Sequence, residues 1–238
     1  MLLFYIRHGD PVYNPDSLTP LGHRQAEALS KRLALYGINR IFASTSNRAI
    51  ETAIPISELI KKEIEPLDFC NENHIWNEFT VRNDNGEWRW VFHDNNMRRL
   101  LVSDEVKSLG DKWYEHPDIL KFNFKSGIDR VTRDVDNWIS TLGYEHIREK
   151  GIYKAVSPNN DRVALFAHQA FGLAFLSSLL DIPYPYFCTH FDMGHTGMTV
   201  IEFNEIDGIV IPKVLSLAND SHIYKEGLPT LYNNSICF

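Results

Sequence analysis

The chain has 238 residues, of which 44% are hydrophobic and 23% charged, and its formal net charge is −7. This composition is ordinary for a globular protein with one large domain, and the negative charge argues against a broad nucleic-acid-binding surface. An anionic substrate would therefore need a local basic pocket, because the overall charge does not attract it.

The sequence carries no sign of export or membrane insertion. No apolar run approaches membrane-spanning length, and Arg7 and His8 come too early for a signal peptide. The cysteines Cys70, Cys188 and Cys237 have no paired spacing, which is typical of a reducing compartment and not of a disulfide framework or zinc site. We therefore expect a cytoplasmic protein without nucleic-acid or membrane partners. The sequence leaves open whether it is a monomer or a homodimer.

The first third of the chain alternates strand and helix signals. In chain order we predict a strand over 2–6, a loop over 10–18, a helix from Thr19–Pro20 to Gly37, a strand over 40–43, a helix capped by 44–46, and a strand over 64–69. This order predicts parallel strands joined by right-handed crossovers.

The pattern breaks between about residues 73 and 125, where four of the five tryptophans lie. Runs over 79–81 and 88–92 flank Asn83–Gly86, which predicts a β-hairpin. The segment is too short for a core of its own, so we interpret it as a cap inserted into a single domain, 1–238. Its tryptophans could line the pocket, pack the cap onto the main body, or do both.

The remaining chain returns to strand and helix signals. We predict a helix starting at a capping box over 126–129, a loop over 154–161, a strand over 162–167 that ends in His168, a helix over 169–180, a closing strand pair over 199–203 and 209–217, and an aperiodic tail from Asn219. The predicted fold class is therefore α/β, with three α/β/α layers around a mostly parallel sheet.

Two predicted strands end in histidine, at His8 and His168. Parallel strands end at the same edge of a sheet, so the two imidazoles should converge there. Arg7 precedes His8, and Arg48 lies near the start of the helix after the second strand. Two guanidiniums, two imidazoles and helix N-termini form an anion site suited to a phosphoryl group.

The chain resembles the histidine phosphatase (phosphoglycerate mutase-like) superfamily, on its phosphatase branch. The motifs that carry the resemblance are Arg7-His8-Gly9, Leu18-Thr19-Pro20-Leu21-Gly22, Ser46–Ala53, Asn71-Glu72 and Ala167-His168. Each motif is short, but their order and spacing are specific.

The resemblance implies a role for each matching residue. His8 would be the nucleophile that becomes a phosphohistidine, and Arg7, Arg48 and His168 would hold the transferred group. Glu72, which follows Arg48 by 24 residues, would be the acid, with His8 and His168 completing the catalytic set. Asn14 lies where several members bind the phosphate through an asparagine. No metal or other cofactor is implied.

Several alternatives stay open. Glu78 also follows the third strand and could be the acid in place of Glu72. Arg98 and Arg99 resemble a pair that some mutases direct at a carboxylated substrate, but a solvated turn explains them as well. Cys188, His190, Asp192 and His195 fit no standard metal-ligand spacing. Asn219–His222 resembles a stretch near the end of some bacterial members and could anchor the loop after the last strand.

We predict a metal-independent phosphomonoester hydrolase acting on a small phosphorylated metabolite through a phosphohistidine. The alternatives are phosphoglycerate mutase-type transfer and a catalytically silent phosphate-binding module. The chain lacks the Gly-Trp element that mutases of the superfamily usually carry, which favours hydrolysis. The substrate is left open, although Trp76, Trp88 and Trp90 favour an apolar or ring-bearing part.

Overall fold

The computed structural model describes residues 1–232. Its strands are β1 Leu2–Arg7, β2 Pro11–Tyr13, β3 Asp16–Leu18, β4 Arg40–Ser44, β5 Ile64–Leu67, β6 Thr80–Arg82, β7 Trp88–Trp90, β8 Tyr144–Ile147, β9 Ile152–Ala155, β10 Arg162–Ala167, β11 Met198–Glu202, β12 Glu205–Ile206, β13 Ile209–Val210 and β14 Lys213–Asn219. The helices are α1 Pro20–Tyr36, α2 Asn47–Ile60, α3 Glu72–Phe79, α4 Asn95–Leu101, α5 Asp104–Ser108, α6 Phe124–Thr141, α7 Gln169–Leu179, α8 Tyr184–His190 and α9 Ser221–Lys225.

The central sheet has six strands in the order β14-β11-β1-β10-β4-β5. The neighbours β1, β10, β4 and β5 pair in parallel, whereas β11 runs antiparallel to both β1 and β14. Arg7 pairs with Ala167 at the end of the β1–β10 ladder. This register places His8 and His168 side by side at one edge, as the sequence predicts.

The sheet lies between two helical layers, and β1 shows this most clearly. Phe4 and Ile6 pack in one apolar cluster with residues of α1 and α2. Leu3 and Tyr5 pack in another, with residues of α6 and α7. Because successive side chains of a strand point to opposite faces, a strand that is apolar throughout requires cover on both sides. The predicted three-layer α/β class is confirmed.

Local signals fixed the ends of α1 well. The Thr19 side chain accepts a hydrogen bond from the Gly22 N–H, and Gly37 ends the helix in the left-handed conformation with φ 64°. The cap and the stop that the sequence predicts are both present, since each depends only on residues next to it in the chain.

Several predicted boundaries are wrong. The predicted loop over 10–18 contains the β2–β3 hairpin. Helix α6 begins at Phe124, so the capping box predicted over 126–129 lies inside the helix. The hairpin β8–β9, which joins β12 and β13 in a second sheet, went unpredicted, as did α8 and α9. The turn at Asp207–Gly208 links β12 to β13, while β11 pairs with β14.

The segment over 73–125 contains the predicted hairpin, β6–β7, followed by short helices. Its buried residues Phe79, Leu101 and Trp113 belong to the same apolar cluster as α6 and α7. The segment is therefore packed on the main body through a shared core. Within residues 1–232, no helix combines the length and apolar character that crossing a membrane requires.

Candidate active site

The two histidines predicted to converge lie in contact at the edge of the sheet. The ring centroids of His8 and His168 are 5.2 Å apart, and both side chains are buried. The His8 N–H donates to the Ala167 carbonyl at 2.9 Å, so the β1–β10 ladder continues into the site. Both imidazoles therefore stand on rigid strand ends.

His8 is held in one tautomer. Its Nδ1 lies 2.7 Å from the Gly9 carbonyl oxygen, which can only accept, so the proton resides on Nδ1 and Nε2 carries the free lone pair. Burial lowers the pKa of His8 well below its usual value, and His168 and Arg7 lower it further. His8 is thus a neutral imidazole with an available nucleophilic nitrogen.

Gly9 allows the backbone to turn beside His8. A Cβ at this position would lie 2.8 Å from the Gly22 carbonyl oxygen, too close for any other residue without a backbone shift. The Gly9 N–H donates to Thr52 Oγ1 at 3.0 Å. The glycine that follows the histidine is therefore required by the approach of α1.

Arg7 is fixed by the loop before β11. Its Nη1 donates to the Met193 carbonyl at 2.6 Å, and its Nη2 donates to His195 Nε2 at 2.9 Å. His195 Nδ1 lies 3.5 Å from Asp10 Oδ1. Burial, followed by Arg7, lowers the pKa of His195 to about 3, which keeps the imidazole neutral. Neutral acceptors hold Arg7, so its charge stays available to an anion.

His195 was not predicted in this site. The sequence indicates only that it fits no standard metal-ligand spacing with Cys188, His190 and Asp192. The signal that could have found it is topological: β11 begins where its antiparallel neighbour β1 ends, so the loop before β11 lies at the histidine edge. The neighbouring Thr196 accordingly donates its N–H to the His8 carbonyl at 3.2 Å.

Arg48, in the first turn of α2, is held by two carboxylates. Its Nη1 donates to Asp16 Oδ1 at 2.6 Å, and its Nη2 donates to Glu72 Oε2 at 2.9 Å. Asp16 also accepts the Asn47 N–H at 2.8 Å, at the N-terminus of the helix. Asp16 was not predicted in this site, because the sequence predicts a loop over 10–18, where the structure has β3.

Glu72 is placed in the site and Glu78 is not. Asn71 caps α3, and Glu72 in its first turn lies 3.5 Å from His168 Nδ1. Burial raises the pKa of Glu72, partly offset by Arg48 and Arg7. Glu78, by contrast, accepts two hydrogen bonds from Arg130, at 2.6 and 2.7 Å. Of the two carboxylates, only Glu72 is near the histidines.

Three buried nitrogen atoms of the site lack a hydrogen-bond partner among the described residues: Arg7 Nε, Arg48 Nε and His168 Nδ1. His168 Nε2 is satisfied by the Ser44 hydroxyl at 2.8 Å, which can donate to it and leave the proton on Nδ1. Buried donors are normally paired. Three unpaired donors next to His8 are therefore suited to an anion with several acceptor oxygens.

By distance alone, His8, Glu72 and His168 could also hold a metal ion, since their ligand atoms lie within 4.8 Å of one another. The guanidiniums of Arg7 and Arg48 adjoin this cluster and would repel a cation. The donor set fits an anion better than a metal.

The remaining predicted residues lie elsewhere. Asn14 is exposed at the tip of the β2–β3 turn, and no hydrogen bond ties it to the rest of chain 1–232, so its role stays a prediction. Arg98 donates to the Thr189 carbonyl at 3.0 Å and lines a cavity of about 940 Å³ with Cys188, His190 and Asp192. Arg99 is exposed. Cys237 falls outside the described residues.

A cavity of about 790 Å³ adjoins Arg48 and Glu72. Its walls include Tyr13, Trp76 and Trp90, and β2, α3 and β7 supply them. Two of the three tryptophans predicted to face the substrate therefore do line a cavity. Trp88 is not on the wall, and its side chain is 57% exposed.

Residues 3–98 match the family model of the histidine phosphatase superfamily (branch 1), whereas no curated protein sequence matches the chain. Among solved structures, a phosphoserine phosphatase from Entamoeba histolytica in complex with 3-phosphoglyceric acid is 20% identical, with a TM-score of 0.59 over 93% of this chain and 98% of that one. A mycobacterial glucosyl-3-phosphoglycerate phosphatase with inorganic phosphate is 17% identical, with a TM-score of 0.59 and coverages of 93% and 98%. A putative alpha-ribazole-5'-P phosphatase from Escherichia coli is 18% identical, with a TM-score of 0.57 and coverages of 92% and 98%. Residues 3–98 are therefore similar to the histidine phosphatase superfamily, which the motifs also resemble, and the chain has the fold of these solved phosphatases.

Proposed function

We propose that the protein is a phosphomonoester hydrolase that forms a phosphohistidine at His8 Nε2. The observation that carries the proposal is the set of three buried, unpaired donors on Arg7, Arg48 and His168 beside a neutral His8. Three donors suit the three equatorial oxygens of a phosphoryl group in transfer. The superfamily match and the phosphatase names of the structural neighbours support the same reaction class.

In the first step His8 Nε2 attacks phosphorus, the N–P bond forms, and the bond from phosphorus to the ester oxygen breaks. The departing oxygen takes a proton from Glu72. Because the pKa of this carboxyl is raised, its protonated form persists to a higher pH than that of an ordinary glutamate. In the second step the Glu72 carboxylate removes a proton from water, and the oxygen of that water attacks phosphorus. The N–P bond then breaks, which releases phosphate and restores His8 with its lone pair. These residues suffice without a metal ion.

The two alternatives are less well supported. Mutase-type transfer must keep water away from the phosphohistidine, but Trp76 at the cavity is 40% exposed. A silent binding module would not need the complete set of nucleophile, acid and three phosphate-binding residues that lies together here. Both considerations favour hydrolysis of a small phosphorylated metabolite.

The test measures phosphate release from benzyl phosphate and acid-labile phosphate on the protein after rapid quenching. The wild type should release phosphate and carry acid-labile phosphate on a histidine, whereas His8→Ala should do neither. His116→Ala, which changes a histidine in the 73–125 segment, should behave as wild type. Equal turnover by wild type and His8→Ala would refute the proposal, as would phosphorylation at another residue.

A further inference from the structure

The cavity next to the proposed phosphate site has few positive charges. Arg48 is its one guanidinium on the described part of the chain, and His93 is its one imidazole. Burial lowers the pKa of His93, so this ring is neutral at neutral pH. Among the described side chains that line this cavity, Arg48 is therefore the one that offers a permanent positive charge to the alcohol part of a substrate.

Both arms of Arg48 are already occupied by acidic side chains. Asp16 lies 2.6 Å from Nη1 and Glu72 lies 2.9 Å from Nη2, and both carboxylates also line the cavity. Asp16 additionally accepts the Asn47 N–H at 2.8 Å, which occupies a donor at the N-terminus of α2. The two features of this wall that attract anions, a guanidinium and a helix N-terminus, therefore both face the Asp16 carboxylate.

The other walls are uncharged. Trp76 and Trp90 meet edge to face, with ring centroids 4.8 Å apart, and Trp90 stacks on Phe92 at 5.8 Å with an interplanar angle of 9°. Asn71 and Asn73 lie on the same cavity. Aromatic faces and amides suit a neutral group with apolar and hydroxyl parts, and they offer no counter-ion to a second anionic group.

We propose that Asp16 is a specificity-determining residue, which makes the site select phosphomonoesters with an uncharged alcohol part and reject esters that carry a second anionic group, such as a carboxylate. The proposal rests on the phosphatase function proposed above and names its substrate class. The carboxylate acts on the substrate in two ways: it repels a second anion directly, and it occupies the cation that would otherwise bind one. Phosphorylated hydroxy acids and bisphosphates would accordingly be poor substrates.

The experiment compares benzyl phosphate with 4-(phosphonooxymethyl)benzoate, two esters that differ by one carboxylate far from the reacting oxygen. The measured quantity is the ratio of their kcat/KM values in wild type and in Asp16→Asn. The ratio is informative because freeing Arg48 would alter the binding of the shared phosphate equally for both esters. The asparagine side chain can still accept from the Asn47 N–H, so the hairpin should keep its position.

Wild type should prefer benzyl phosphate at least about tenfold, the factor that ~1.4 kcal/mol of repulsion produces. Asp16→Asn should reduce that preference to about twofold or less, chiefly by raising kcat/KM for the carboxylated ester. The matched control is Asp207→Asn, which makes the same charge change at the exposed turn between β12 and β13 and should leave the ratio as in wild type.

Each other outcome counts against the proposal in a different way. A wild type that hydrolyses both esters equally well would overturn the charge selectivity and leave the phosphatase function intact. An unchanged ratio in Asp16→Asn, or an equal shift in Asp207→Asn, would show that Asp16 is not the determinant. If neither ester released phosphate, the proposed function would fail, and this inference with it.

Discussion

Replacing Glu72 by Gln should separate the two steps of the proposed reaction. The amide keeps the shape of the side chain and an oxygen that can accept from Arg48 Nη2, now 2.9 Å from Glu72 Oε2. It loses the proton that the leaving oxygen needs and the base that activates water. Removing a general acid–base group costs about 10²–10⁴-fold in rate, or ~2.7–5.4 kcal/mol at about 1.36 kcal/mol per tenfold.

The loss of rate in Glu72→Gln should depend on the leaving group of the ester. With benzyl phosphate both steps need Glu72, so Glu72→Gln should show a slow reaction without a burst. With 4-nitrophenyl phosphate the phenolate departs without a proton, so one nitrophenolate per active site should appear rapidly before slow turnover. Rapid-mixing absorbance measures the burst, and quenching measures the phosphohistidine. Equal losses for the two esters, with no burst for either, would refute the assignment of Glu72 as the acid.

The pH profile supplies a second readout. Benzyl phosphate hydrolysis requires Glu72 protonated, so its rate should fall as pH rises through the raised pKa of that carboxyl. His8 must be neutral to attack phosphorus. Because its pKa is lowered, it stays neutral at pH values well below about 6.5, the usual pKa of histidine. Glu72→Gln should lack the alkaline fall. Glu78→Gln, the matched control, should keep the wild-type profile, since Glu78 instead binds Arg130.

Three further substitutions test individual contacts in the site and in the core. His195→Ala removes the acceptor 2.9 Å from Arg7 Nη2. Inhibition by inorganic phosphate should weaken about tenfold, because a hydrogen bond to a charged group contributes ~1.4 kcal/mol. An unchanged inhibition constant would contradict the role of His195 in holding Arg7. Gly172→Ala places a Cβ 2.6 Å from the Tyr5 ring and should lower the free energy of unfolding in urea by about 1–3 kcal/mol, and unaltered stability would show that the ring can move. Burial lowers the pKa of His222 to about 4, below the unfolded value near 6.5, so its stabilising effect is complete above pH 6.5 and is lost as pH falls toward 4. Wild type should lose about 2 kcal/mol more than His222→Gln between pH 7.5 and pH 5, and parallel losses in the two proteins would contradict this.

Much of the scaffold follows from signals that are local in the chain. Thr19 and Gly37 bound α1 as predicted, because a cap and a left-handed stop involve only neighbouring residues. The Asn-Gly hairpin over β6 and β7 is also present as predicted. The capping box predicted over 126–129 does not start its helix. Helix α6 begins earlier, at Phe124, whose side chain is buried in the core.

The sequence also determined that His8 and His168 meet, because the carboxyl ends of parallel strands share an edge whatever their separation along the chain. It could not choose between Glu72 and Glu78, since both follow the same strand. The tertiary structure separates them in space: Glu78 lies about 9 Å of helix rise beyond Glu72 along α3, so only Glu72 lies beside Arg48.

Asp16 and His195 were beyond sequence reasoning for a related reason. Each reaches the site from an element whose position depends on a distant partner: Asp16 from a hairpin folded against α2, and His195 from the loop before an antiparallel strand added next to β1. Motifs along the chain thus specify the groups proposed to transfer the phosphoryl group. Only the assembled sheet and its loops decide which charges surround those groups, because electrostatic contacts depend on distance in space and not on order in the chain.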